Sequence, residues 1–164
     1  MTQEEKKELL LKDLCARLPY EVKGRVYAEI TNGQYDINGD MIFFDSPFDV
    51  ILDGINVSTE EIHVVAIGNE DTVEFIEMQQ TDGFPYTIED VKPYLRPMSS
   101  MTEEEEKEYN DLMLNTQVSE IYFPHFEDMI PVFDWLNKKM FDYRGLIPKG
   151  LAIEVTENNN PYKN

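Results

Sequence analysis

Apolar residues near the amino terminus recur at helical spacing. Leu10, Leu14 and Leu18 form a stripe, with Leu11 and Cys15 beside it. Thr2 and Glu5 stand at capping-box spacing, where hydroxyl and carboxylate each satisfy an open amide. Pro19 ends the run, so the pattern predicts a helix over about residues 3–18. From Glu21 the period falls to two. "EVKGRVYAEI" sets Val22, Val26 and Ala28 against charged neighbours, as a half-buried strand does. "DMIFFDS", "FDVILDG", "EIHVVAIGN" and "TVEFIEMQQ" follow, each short and rich in β-branched or aromatic residues. Asn32-Gly33 and Asn38-Gly39 are turn dipeptides that favour positive φ. Five close strands with no helix between them predict an antiparallel meander or a small bent barrel, because the crossovers are too short for parallel pairing.

Helical spacing returns in the second half. Thr87 caps a single turn, "IEDVK", before Pro93. Thr102 and Glu105 repeat the capping-box spacing and open a helix, "EEEEKEYNDLML", whose crowded amino-terminal acids suit the helix dipole. Met129, Val132, Phe133, Leu136 and Met140 mark a third helix, with Trp135 beside the stripe and Pro131 expected in its first turn. "RGLIPKGLAIEV" reads as a turn and a last strand through Leu151, Ile153 and Val155. The expected fold class is α+β: a five- to six-stranded, mostly antiparallel sheet or small barrel, with an amino-terminal helix and two helices in the carboxyl-terminal half. One globular domain is expected over 1–155, followed by a polar tail, 156–164, with little to bury.

Composition changes this picture mainly through charge. The hydrophobic and aromatic fractions are those of a folded domain, so a formal charge of −19 does not imply disorder. Such a charge repels phosphate backbones and anionic lipid, so neither direct nucleic-acid binding nor a membrane-surface role is expected. The single cysteine forms no intramolecular disulfide, which fits a reducing cytoplasm. "MTQEEKKELLLKDL" has the long apolar run of neither a signal peptide nor a span. The charge is also unevenly laid out. Between Val26 and Val91 there are 15 Asp or Glu and no Lys or Arg, while Lys6, Lys7, Lys12, Arg17, Lys23 and Arg25 crowd the start of the chain. A sheet so charged repels itself. Solvation, bound cations or a basic partner could each offset that cost, and solvation alone is the simplest of the three.

Three segments, "LLLKDLCARLPYEVKGRV", "VKPYLRPMSSMTEEEEKEY" and "DWLNKKMFDYRGLIPKGLAIEV", together cover a little over a third of the chain. They resemble an uncharacterised family of small proteins encoded by gut Bacteroidales and by the phages and integrated elements of those bacteria. The resemblance implies a cytoplasmic accessory protein of bacterial, phage or mobile-element origin, and brings no catalytic residues with it.

The remaining motifs were tested for chemistry. Asp36, Asn38 and Asp40 occupy the first, third and fifth positions of a calcium loop, but Met41 stands where Gly is needed and Pro47 where a bidentate Glu is needed. A hairpin turn on Asn38-Gly39 fits better. His63 and His125 have no ligand-spaced neighbours, and Cys15, flanked by Lys12 and Arg17, reads first as a small core residue. No phosphate loop, GxSxG or HExxH occurs, so no catalytic residue, metal or cofactor is assigned and a non-enzymatic protein is expected. Tyr94, Arg96, Tyr143 and Arg144 are secondary contact candidates, against the alternative that "PYLRP" is a stiff connector and "FDYRGLIPKG" a packed turn. The leading expectation is an acidic binding protein that engages a basic protein surface, by nucleic-acid mimicry or by inhibiting a host or defence protein. Asp36, Asp40, Asp45, Asp49, Asp53, Glu74 and Glu77 are its candidate contact residues. A small-molecule-binding protein or enzyme with a pocket in the β region is the alternative, and a structural phage component a third.

Overall fold

The computed structural model describes residues 1–81, 85–116 and 126–163. It is an α+β protein, with four α-helices and six strands among the described residues. The chain falls into two compact units, Met1–Pro93 and Tyr94–Asn164.

In the first unit, α1 (Gln3–Arg17) carries the expected capping box between Thr2 and Glu5. Its buried line is Leu10, Asp13, Leu14 and Arg17, rotated from the predicted stripe. Cys15 is therefore exposed and not a core residue. Asp13 and Arg17 are both fully buried, and the carboxylate accepts hydrogen bonds from Nε at 2.7 Å and Nη2 at 3.0 Å. The i, i+4 spacing places the two charges on one helix face, where each makes the other's burial tolerable.

Strands β1 (Lys23–Tyr35), β2 (Met41–Asn56), β3 (Glu61–Ala66) and β4 (Tyr86–Thr87) pair antiparallel in sequence order. The free side of β1 at Gly24 and Arg25 takes Pro93 and Lys92 of β5 (Lys92–Leu95). Three expectations fail here. "DMIFFDS" and "FDVILDG" are one strand that runs through Pro47. The carbonyl of Asp49 accepts from the amide of Ile67, on the β3 side. Strand alternation then points the odd-numbered residues of β2 to that side, so the N–H missing at Pro47 falls on an edge where β3 has already ended. Asn32-Gly33 is not a turn but an irregularity inside β1, between Thr31 and Tyr35, with Gly33 at φ 77°. "TVEFIEMQQ" is not a strand but lies in α2 (Glu70–Thr81). The Asn69 side chain caps it by accepting from the amide of Thr72 at 2.9 Å, and Glu70 and Asp71 suit the dipole of its first turn. These local signals outweigh the β-branched and aromatic residues that follow. Ile76 then enters the core, and the Gln80 side chain bonds both backbone groups of Val64, covering the edge of β3 that β4 leaves open.

In the second unit, Tyr94 and Leu95 of β5 pair in parallel with Ile153 and Glu154 of β6 (Ile153–Glu154). Helices α3 (Glu103–Asn115) and α4 (Phe126–Lys138) enclose a cluster around Val132, Leu136 and Phe141. α4 starts earlier than expected, so Pro131 lies beyond the first turn and supplies no N–H to the carbonyl of Glu127. Fully buried Phe141 stacks on Trp135, with the Arg96 guanidinium 4.3 Å from its ring centroid. Arg96 grips Glu105 with two bonds of 2.8 and 2.7 Å, and the same carboxylate closes the capping box of α3 with Thr102. The residues after Val155 are tied back: Asn159 bonds Thr156 and Glu154, and the Tyr162 hydroxyl donates to the carbonyl of Tyr94.

Two stability predictions follow from these ion pairs. Asp13→Ala strands a buried guanidinium and is expected to cost about 3–5 kcal/mol in urea denaturation, whereas the paired change Asp13→Leu with Arg17→Met is expected to be close to neutral. The Arg96 hydrogen bonds hold the Glu105 carboxyl at about 2, well below its ordinary 4.5. A depressed folded-state value gives stability that is complete above 4.5 and lost as the pH falls toward 2. Glu105→Gln is expected to cost on the order of 2–3 kcal/mol at neutral pH, with the difference from the parent protein shrinking through that acid window.

Candidate functional site

The β1–β2 pairing continues past the point where the first unit covers it. From Lys23 to Ile30 on β1 the even-numbered residues face inward: Val26 and Ala28 are buried, opposite Phe48 and Ser46. Phe48 meets Phe75 of α2, with ring centroids 5.5 Å apart. Beyond Ser46 the same face carries Phe44 opposite Ile30, and then Ile42. Phe44 and Ile42 are 43% and 40% exposed. On the reverse face Tyr27, Phe43 and Tyr35 are more exposed still. The distal ribbon is thus an arm, apolar on both faces and open to solvent on both.

The arm ends in a hairpin at residues 36–40. The Asp36 carboxylate accepts from the amides of Asn38 at 2.7 Å and Asp40 at 2.9 Å, Gly39 takes φ 87°, and Ile37 projects fully into solvent. These amides, that of Asp40 foremost, hold the Asp36 carboxyl below its ordinary value. Asp36 therefore organises a turn of the Asx kind.

The acidic candidates do not meet in one patch. Asp36 and Asp40 are at the tip, and Asp45 and Asp49 lie on the odd-numbered face of β2. Glu74 and Glu77 are exposed on α2, which packs on the opposite face through Phe75. Asp53 is exposed farther along β2. Their surroundings differ as well. Asp49 sits directly opposite Arg25 and takes its Nε at 2.9 Å. Two rungs on, Glu29 sits directly opposite Asp45, and among the described residues neither makes an ion pair. Like charges facing each other across a ladder are destabilising.

The secondary candidates belong to the packing of the second unit. Tyr94 is 1% exposed and presents no contact surface, and Arg96 is committed to Glu105 and Phe141. The Tyr143 hydroxyl donates to Asn137 at 3.0 Å, its ring lies 5.7 Å from Phe133, and Arg144 covers its face at 5.0 Å. A shallow cleft of about 310 Å³ on this unit is lined by Glu108, Asp111, Leu112 and Trp135. The Trp135 indole already donates to Glu108, and Lys139 stands 5.7 Å from its ring centroid.

Exposed His63 lies on β3, while His125 falls outside the described residues. Partial burial pushes the Cys15 thiol up, the opposite of activation for nucleophilic attack. Among the described residues, no three His, Cys, Asp or Glu side chains converge to hold a metal. No helix among them is long and apolar enough to cross a membrane. Compared with protein-family models, curated proteins and solved structures, the chain matches none.

The acids were visible in the sequence and the arm was not. "MIFF" places apolar residues on both faces of a strand, the usual mark of a strand buried on both sides, and nothing in the sequence shows that the cover stops at Phe48. The like-charge rung is directly testable: Glu29→Gln with Asp45→Asn is expected to raise the thermal midpoint by about 1–2 °C, read by circular dichroism at low salt.

Proposed function

We propose that this chain is a non-enzymatic binding protein that engages a basic protein surface through its acidic β region. One observation carries the reading: a solvent-exposed arm that combines aromatic and aliphatic side chains with carboxylates and no cation. Large apolar side chains held in water on both faces of a ribbon mark an interaction surface. The surrounding negative charge selects a positive partner and speeds its approach. The resemblance to proteins of Bacteroidales phages and integrated elements supports an accessory role in a bacterial cytoplasm, with a host or defence protein as the target. The spread of acids over tip, strand face and helix favours a local contact over imitation of a regular phosphate backbone. The small-molecule alternative has the Trp135 cleft as its support, but that cleft is shallow, lies outside the β region and has its indole N–H already bonded.

The test is affinity capture of the tagged protein from nuclease-treated bacterial lysate at low and high salt. The comparison variant carries Asp40→Lys, Asp45→Lys and Asp53→Lys, leaving Asp36 and Asp49 to hold the turn and Arg25. The parent protein is expected to capture a stoichiometric basic partner that is weakened by salt, and the variant, with a thermal midpoint no lower than the parent's, to capture none. Equal capture by a folded variant sinks the proposal.

A further inference from the structure

We infer that the inner face of the arm, exposed Ile42 and Phe44 with half-buried Ile30 beside them, docks into an apolar groove on a basic protein, and that this contact rather than the charge supplies most of the affinity. The inference rests on the proposed binding function and assigns it a surface. Ile42 and Phe44 continue the β2 row of buried Val50 and half-buried Phe48, and Ile30 continues the β1 row of buried Val26 and Ala28. α2 reaches this face at Phe48 through Phe75; farther out the exposure rises, to 43% at Phe44 and 40% at Ile42. A ribbon of two strands has no interior of its own, so a face of this kind gains most when another molecule completes it.

Charge complementarity identifies the occupant. Glu29, Asp36, Asp40 and Asp45 surround the arm, and the nearest cation on either strand, Arg25, is engaged by Asp49. A second copy docked on the same face would bring Asp36 and Asp40 at its tip against carboxylates of the same acidic surface, Asp36, Asp40, Glu74 and Glu77. Anionic lipid would be repelled in the same way. A groove rimmed by Lys or Arg suffers neither penalty: its apolar floor receives Ile42 and Phe44 while its rim meets Asp36 and Asp40 at the tip and Glu74 and Glu77 on α2, the helix that packs on this face. Charge at such a rim steers encounter and sets specificity, while buried aromatic and aliphatic anchors set the dissociation rate.

The test uses the full chain and three fluorescent peptides as probes: one alternating Lys with Leu, one of Lys with Ser in place of Leu, and one alternating Glu with Leu. Anisotropy titrations compare the parent protein with Ile42→Ser/Phe44→Ser and with Val57→Ser/Met78→Ser, which removes exposed apolar groups elsewhere in the unit. The Lys–Leu peptide is expected to bind the parent, to retain much of its affinity at high salt, and to lose roughly tenfold or more on Ile42→Ser/Phe44→Ser. The Val57/Met78 variant is expected to bind as the parent does, the Lys–Ser peptide more weakly, and the Glu–Leu peptide not at all. Amide shifts in the parent protein on adding the Lys–Leu peptide are expected at residues 28–30 and 42–46, a readout that does not depend on how either variant folds. If the Lys–Ser peptide binds as tightly as the Lys–Leu peptide, or both variants lose equally, the docking face is overturned and the basic-partner reading stands. If neither cationic peptide binds, both fail. A concentration-dependent dimer abolished by Phe44→Ser would put a second copy on this face and overturn the assignment of the partner.

Discussion

The ladder between β1 and β2 is the interaction on which the rest of the first unit depends. It supplies the two central strands, and β3 and β5 each attach to one side of it. A ladder of this length also imposes a constraint. Backbone pairing can run on as far as two strands stay in register, but burial ends where the neighbouring elements end. β3 leaves β2 at about Val50, and β5 meets β1 only at Gly24 and Arg25. Past those points each strand has, among the described residues, one satisfied edge and one open edge; α2 still reaches the inner face at Phe48, and farther out Phe44 and Ile42 are exposed. The arm is thus the consequence of two strands that are longer than anything packed against them.

The second unit is organised around a different economy of charge. One carboxylate, Glu105, both caps α3 and holds Arg96, and Arg96 in turn lies on the ring of Phe141. Polar groups here are consumed by structure: Asp142 accepts from the amides of Leu146 and Ile147, and Asn137 takes the Tyr143 hydroxyl. Fully buried Asp13 and Arg17 are paired with each other, and buried Asp142 is held by backbone amides, as the cost of burying a bare charge requires.

How far the sequence could be read follows the range of the forces involved. Caps act within one helical turn, so Thr2, Thr87 and Thr102 were readable from local spacing alone. α2 was misread because β-branched and aromatic residues outweighed a single Asn cap, although Asn69 with Glu70 and Asp71 spelled the helix start. "DMIFFDS" and "FDVILDG" read as two strands with Pro47 between them, a residue that a central strand does not tolerate, and only the topology shows that its edge is open. The rotation of α1 was hidden because its buried line includes Asp13 and Arg17, residues that a hydrophobic pattern assigns to solvent. For the candidate site, Asp36, Asp40 and Asp45 could be picked out by charge, but the exposure of Phe43 and Phe44 is a statement about missing neighbours, which no local pattern encodes.

Pro47 has a consequence beyond the fold. Open strand edges lined with aromatic residues are what growing cross-β assemblies recruit, and "MIFF" is the kind of segment they stack. On β2 that edge lacks one N–H at Pro47, and it is flanked by Asp45 and Asp49, whose charges would be brought into register with their own copies in any stacked array. On β1 the irregularity at Gly33 disturbs the other edge. These breaks in the open edges are of the gatekeeper kind that disfavours edge-to-edge stacking of an apolar ribbon.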